Sequence, residues 1–438
     1  MILSTRHLLV HLAWISLLLS GCQSKVYLMP APVSLGSDAK FFELSDESRD
    51  DNLLYTLYAS NRLPYTKGKD KRGYTIFPTD ALEIGQTVHR VGEPGMSWED
   101  LYRESIADER DEDLIIYQAH ARKKARYEAE EDLGTLTPTA EGFFLKINEQ
   151  IERSLDKDIT IYVHGANSNF YRATAQGAQL FHFTGHNSII LTFSWPSAGS
   201  LLKYQTDVMH ASQTVYAFAR LVEFLAAHTR ARNINILAYS AGAQVAIPGL
   251  SFLRGQYPEI PAAELKERWR IGEVYLAAPD SDFPAFADHY FKFREIVNRT
   301  TLNVNNYDTV LKFAASQSRY SRLGKPNLNE LDEEQLQAMR EATRTAELDI
   351  LDVGDSEALE LGGAHGSWYT HPWVSNDLLL LYLFNVPPEE RGLVALTGEK
   401  GGKIYRFPPD YDQRIRELIA QNREQGLLMK QEQKPHGE

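Results

Sequence analysis

Between residues 159 and 353 short, nearly continuous apolar runs alternate with longer amphipathic ones. The runs 159–163, 188–193, 234–238, 273–277, 301–305 and 348–353 read as strands. Residues 169–183 and 210–229 read as helices, the second with Val215, Phe218, Leu221, Val222 and Leu225 on one face. Strands apolar on both faces and separated by helices predict an α/β fold, a mostly parallel central sheet with helices on both sides. Upstream, 53–59 and 73–77 read as short strands. Residues 98–132 are heavily charged, with Leu101, Ile106, Leu114, Ile115 and Tyr117 at helical spacing, and predict one or two surface helices; 143–155 predicts another helix. Downstream, 377–384 is apolar but too short to span a bilayer and reads as a core helix. The polar stretch 410–438 reads as a terminal helix fraying into a tail.

A chain of 438 residues has room for one large domain with additions, or for two. Its 43% hydrophobic and 24% charged content is that of an ordinary globular protein. A net charge of −13 argues against a nucleic-acid partner, which would require a basic patch. The lone cysteine changes the picture more. Arg6, the apolar run 8–19 and the sequence Leu19-Ser20-Gly21-Cys22 form a basic, then apolar, then small-residue series typical of a secretory signal. The ending resembles a bacterial lipobox, in which the cysteine thiol is acylated and the cysteine becomes the first residue of the mature chain. Gln23 follows, where an aspartate would resemble an inner-membrane retention signal. The expectation is a lipid-anchored protein of the cell envelope, in the outer membrane facing the periplasm, with no thiol left for catalysis.

The strand 234–238 runs directly into Tyr239-Ser240-Ala241-Gly242, and a helix-compatible run follows. A serine on so tight a strand-to-helix turn has its hydroxyl exposed, and small residues two before (Ala238) and two after (Gly242) avoid collision. Such a serine needs a base and an acid that orients it, in chain order serine, acid, histidine. His365, in Ala364-His365-Gly366 after the final strand, is the expected base; His371, before Pro372, is the rival. Asp308, after the second strand beyond the serine, is the expected acid; Asp280, after the first, is the rival. Oxyanion donors are expected from the backbone N–H of Ala241 and from His164-Gly165-Ala166-Asn167, at Ala166 or Asn167. His164 and Trp195 read as supporting residues. His182 and His186 stand four apart with Gly185 between them and no carboxylate beside them, so no metal site is expected. Neither a dinucleotide fingerprint nor a phosphate loop occurs, and no cofactor is expected.

Several segments together resemble a bacterial α/β-hydrolase family of unknown function with esterase- and lipase-like motifs. They are 55–62, 163–167, 193–197, 238–242, 276–280, 306–308 and 365–366, in the family's order over roughly 52–390. The family pattern places its nucleophile on Ser240, its acid on Asp308 and its base on His365. Tyr239 and Ala241 depart from the family's frequent His and Met at those places. The resemblance implies an α/β-hydrolase fold with N-terminal helical additions. It implies a serine hydrolase acting on a small-molecule or lipid ester; the lipobox-like ending adds the expectation of membrane association through Cys22. The competing expectation is a catalytically silent envelope scaffold that kept the fold. The implied layout is a signal peptide at 1–21, a tether at 22–51, a hydrolase domain at 52–409 and a polar tail at 410–438. Within the domain lie a helical insertion near 98–155 and a candidate lid at 326–347.

Overall fold

The computed structural model of this chain describes residues 25–36, 52–67, 71–107, 110, 112–128, 131–132, 134–354 and 364–424. In chain order the strands are β1 (Val26–Tyr27), β2 (Leu53–Lys67), β3 (Lys71–Val91), β4 (Ile115–Tyr127), β5 (Ile159–Val163), β6 (Ile189–Phe193), β7 (Ile234–Tyr239), β8 (Ile271–Ala277), β9 (Val297–Val304), β10 (Leu348–Asp352), β11 (Val394–Thr397) and β12 (Lys403–Arg406). They form one sheet in the order β1-β4-β3-β2-β6-β5-β7-β8-β9-β10-β12-β11. The run from β2 to β12 by way of β6 and β5 is parallel throughout, and β11 closes that end antiparallel.

Alternate strand residues feed two cores. Ile159, Ile161 and Val163 of β5 and Ile234, Ile236 and Ala238 of β7 face one side. There they meet helices Pro138–Arg153, Tyr204–His228, Ala243–Gly255 and Phe283–Phe293. Tyr162, Leu237 and Tyr239 face the other, under helices Phe170–Phe183, Pro372–Phe384 and Tyr411–Glu424. Burial on both faces is why the central strands lack a polar stripe. This is the α/β-hydrolase architecture expected from the sequence.

The N-terminal part departs from the expected helices. Within 98–132 only Trp98–Ile106 is helical, and Ile115–Tyr127 is a strand paired antiparallel with β3. Its Ile116, Ala125 and Tyr127 are buried while Arg122, Lys123 and Lys124 are not. Among the described residues β1 pairs only with Ile115 and Ile116, and no other described strand covers the rest of that side of β4, an edge position where charged side chains are favoured over apolar ones. A charged edge strand and a charged helix face thus look alike in sequence. β2 and β3 also outrun the short segments expected. Register shifts in β2 between Ser60 and Arg62 and between Arg62 and Pro64 let the strand run on through Pro64. The candidate lid 326–347 contains helix Glu333–Arg344, opened by a capping box between Asp332 and Gln335. Its Met339 and Ala342 are buried in the first core, so it serves as the crossover from β9 to β10. The signal segment, Cys22 and the tail beyond 424 lie outside the described residues.

The second core holds buried charge. Arg391 Nε lies 3.1 Å from Asp377 Oδ1, and both side chains are fully buried. Asp377 also accepts from Tyr275 Oη at 3.2 Å. Arg299 binds Glu273 through two bonds of 2.9 and 3.1 Å. Asp349 stands 3.7 Å from Arg299 and 4.0 Å from Arg391. Burial pushes the Asp349 carboxyl up to about 6, against the pull of the two arginines. Removing one partner of such a group leaves an uncompensated charge. Arg391→Leu should therefore destabilise the fold by about 3–5 kcal/mol in urea unfolding, and adding Asp377→Asn should restore part of the loss. An acid with a raised folded pKa is retained protonated below that value, so stability tied to it falls as pH rises from about 4 through 6. The Arg391→Leu loss should accordingly be smaller at pH 5 than at pH 7.5; equal losses would detach Asp349 from the network.

Candidate active site

β7 ends in a turn that few residues can make. Ser240 has φ +53°, in the left-handed region that a residue with a side chain rarely adopts. Such a conformation costs on the order of 1–3 kcal/mol and persists only where its surroundings enforce it. Here they do. A Cβ on Gly242 would come within 2.4 Å of the Val163 carbonyl oxygen, and one on Gly165 within 2.9 Å of Ser240 Cβ. The serine turn and the His-Gly turn after β5 therefore close on each other through two glycines. The Asp280 N–H donates to the Ser240 carbonyl at 3.0 Å and fixes the turn from the β8 side. Helix Ala243–Gly255 follows, so the Ala241 N–H sits at a helix N-terminus.

The structure brings Ser240, His365 and Asp308 together. His365 Nε2 lies 2.8 Å from Ser240 Oγ, and His365 Nδ1 lies 2.8 Å from Asp308 Oδ2. A carboxylate only accepts, so Nδ1 carries the proton and Nε2 is left to accept from the serine hydroxyl. Asp308 is fully buried, and its other oxygen accepts from the Leu311 N–H at 2.9 Å, capping helix Thr309–Ser316. One carboxylate both starts a helix and orients an imidazole. His365 rides on the short turn Ala364–Gly366 and packs on the Tyr239 ring at 5.4 Å between centroids.

The rivals stand elsewhere. Asp280 accepts from Arg322 Nε at 2.5 Å and from Tyr204 Oη at 2.8 Å, and Arg322 also binds Asp282. His371 caps helix Pro372–Phe384 through a 3.2 Å bond from the Trp373 N–H, and burial lowers its ring to about 4. His164 is stacked on Trp195 with 5.2 Å between centroids, and both are buried. Burial, reinforced by Arg62, lowers His164 to about 3, so it stays neutral and unable to shuttle protons near pH 7. His182 and His186 face each other at 3.3 Å, and Ser105 takes the other His182 nitrogen at 2.7 Å. Among the described residues no cluster of His, Cys, Asp or Glu is arranged for a metal.

Two site residues escaped sequence reasoning. Asp207, fully buried, accepts from the Ala198 N–H at 2.5 Å, Ser197 Oγ at 2.9 Å and the Asn167 N–H at 3.1 Å. Asn167 itself has φ +55°. Its N–H is thus engaged by Asp207. Arg62 donates to the carbonyls of Ser168 at 2.8 Å and Ser197 at 3.2 Å and to Ser194 Oγ at 3.1 Å. Burial lowers its guanidinium to about 9, partly opposed by Asp207. Arg62 lay inside a quoted motif, and a charged residue closing an apolar strand was the available signal. Asp207 carried no signal beyond being an acid near a helix start.

A model of the family described as "Alpha/beta hydrolase of unknown function (DUF900)" matches residues 141–380. No curated protein matches. Among solved structures, a lipase-esterase related protein from Clostridium acetobutylicum ATCC 824 aligns at 13% identity and TM-score 0.19, covering 46% of this chain and 75% of that one. Dipeptidyl peptidase 4 of Porphyromonas gingivalis aligns at 11% identity and TM-score 0.21, covering 82% of this chain and 43% of that one. Likenesses that low carry no argument about the site. The family match, by contrast, takes in β5 to β10, the Ser240 turn, Asp308 and His365, and spans more than half of the 438 residues: the chain belongs to the α/β-hydrolase family DUF900.

Proposed function

We propose that this hydrolase-family chain is a serine esterase of the cell envelope. The observation that carries the reading is the unbroken chain Ser240 Oγ, His365, Asp308, with both bonds at 2.8 Å and the serine held on a strained turn. In this reading His365 Nε2 takes the hydroxyl proton as Oγ attacks the acyl carbonyl. The carbonyl electrons move onto oxygen, which the N–H groups of Ala241 and Ala166 stabilise. The imidazolium, paired with the Asp308 carboxylate, then protonates the leaving alcohol as the C–O bond breaks. Water repeats the sequence on the acyl-enzyme, releasing the acid and restoring Ser240. The Asp207 and Arg62 bonds keep the loop that carries Ala166 in place. The envelope location and lipid anchor rest on the sequence around Cys22.

A fluorophosphonate probe on purified protein tests the core of this reading. Wild type should be labelled and Ser240→Ala should not; an unlabelled wild type would favour the silent scaffold. Asp308→Asn should lower kcat by about 10²–10⁴ in a chromogenic short-chain ester assay, as in other Ser-His-Asp sites. Asn caps a helix about as well as Asp, so helix Thr309–Ser316 should keep its start and the loss should fall on the orientation of His365. Activity retained in Asp308→Asn but lost in a folded Asp280→Asn would move the acid to the neighbouring strand. For the anchor, cells fed a labelled fatty acid should acylate the wild-type chain and leave Cys22→Ser unlabelled; acylation of that variant would remove Cys22 as the attachment point.

A further inference from the structure

Large apolar side chains that stay exposed gather around one cleft. Tyr307, just before helix Thr309–Ser316, and Val310 and Phe313 on it are 62%, 39% and 54% exposed, while Leu311 and Ala314 on the helix's other face are buried. Leu202 is 97% exposed and Met209 51% exposed, at the start of helix Tyr204–His228. These two stretches border the same cleft of about 280 Å³. Tyr204 and Val208 line it from one side, Gln317 and Ser318 from the other. Gln244 and Ser281 also line it. Gln244 lies one helical turn after Ser240, and Ser281 follows the residue that bonds the Ser240 carbonyl. The cleft thus lies beside the turn that carries Ser240, and the exposed apolar residues lie on stretches that adjoin it as an apolar rim.

The charge on this rim opposes that of the whole chain. Lys203, Lys312 and Arg319 are exposed there, and among the described residues none of them is ion-paired. No Asp or Glu occurs at 197–206 or 309–329, although the chain carries −13. Of the acids that flank these stretches or line the cleft, Asp207 and Asp308 are fully buried and committed to hydrogen bonds, Asp282 is bound by Arg322, and Glu330 accepts from Ser321. Exposed apolar groups interleaved with unpaired cations are suited to the headgroup and acyl boundary of an anionic bilayer. Acidic surface elsewhere would be repelled from such a bilayer, which orients the molecule with this rim toward it.

We propose that this rim is a docking face for an anionic lipid surface, seating the cleft beside Ser240 on the membrane. Leu202, Met209, Val310 and Phe313 enter the interface, and Lys203, Lys312 and Arg319 meet phosphate headgroups. Docking itself does not depend on hydrolysis; only its consequence, access to esters held in the bilayer, rests on the esterase reading.

A local optical probe tests docking in the full chain. Cys22→Ser, Ser240→Ala and Phe313→Cys together give an inactive protein with one thiol, to be labelled with a polarity-sensitive fluorophore. Titration with vesicles of equal parts phosphatidylglycerol and phosphatidylcholine should shift its emission to the blue. The same label at Leu145→Cys, exposed on helix Pro138–Arg153, should not respond. Adding Lys203→Glu, Lys312→Glu and Arg319→Glu should weaken the Phe313→Cys response about tenfold or more, as should replacing phosphatidylglycerol with phosphatidylcholine. Silence at position 313, or an equal response at 145, would overturn the docking face. A shift that follows protein concentration without vesicles would also overturn it, and would make the rim a contact between copies of the chain. Because Ser240 is absent from these proteins, failure here is independent of failure of the fluorophosphonate test.

Discussion

The backbone of Ser240 is the constraint on which the site depends. A left-handed serine between a strand and a helix survives only if the neighbouring backbone leaves no room for relaxation. Gly242 admits the Val163 carbonyl, and Gly165 admits the serine Cβ. The parallel pairing of β5 with β7 brings these turns together at one end of the sheet. The order of strands thus has a chemical consequence: β5, β7 and β9 each end in a turn that contributes one part of the site. Their carboxyl ends point the same way, so the parts converge without a long-range fold of the loops.

Around that point the protein uses buried charge as framework. Arg62 and Asp207 are both sealed from water, and each bonds backbone groups of the loops after β5 and β6. Satisfying an ion with main-chain partners fixes those partners in direction as well as in distance. The second core shows another use. There Arg391 and Arg299 answer Asp377, Asp349 and Glu273 beneath the sheet.

Much of the sheet and the three linked side chains could be read from the chain because their signals are local. A buried parallel strand is a short apolar run, and the serine turn needs small residues at fixed offsets. Asp308 and His365 could be placed by chain order and by the strand each follows. What could not be read depends on partners distant in sequence. β4 looks helical until β3 is beside it and its remaining edge is seen to be open. The 326–347 segment reads as a lid in sequence, and only the fold shows Met339 and Ala342 packed into the core. Asp207 is a single acid among many, and only the folded loop at Asn167 and Ala198 gives it a task. Asn167 shows the same limit: its N–H was open as an oxyanion donor in sequence and is occupied in the structure.

The double use of the Asp308 carboxylate carries a mechanical implication. Its two oxygens divide between the first turn of helix Thr309–Ser316 and the imidazole of His365. The helix is short, and its outward face carries Val310 and Phe313. A load applied to that face passes through the cap, the carboxylate and one 2.8 Å bond to the ring beside the serine. One carboxylate thus ties the start of this surface helix to the aim of His365.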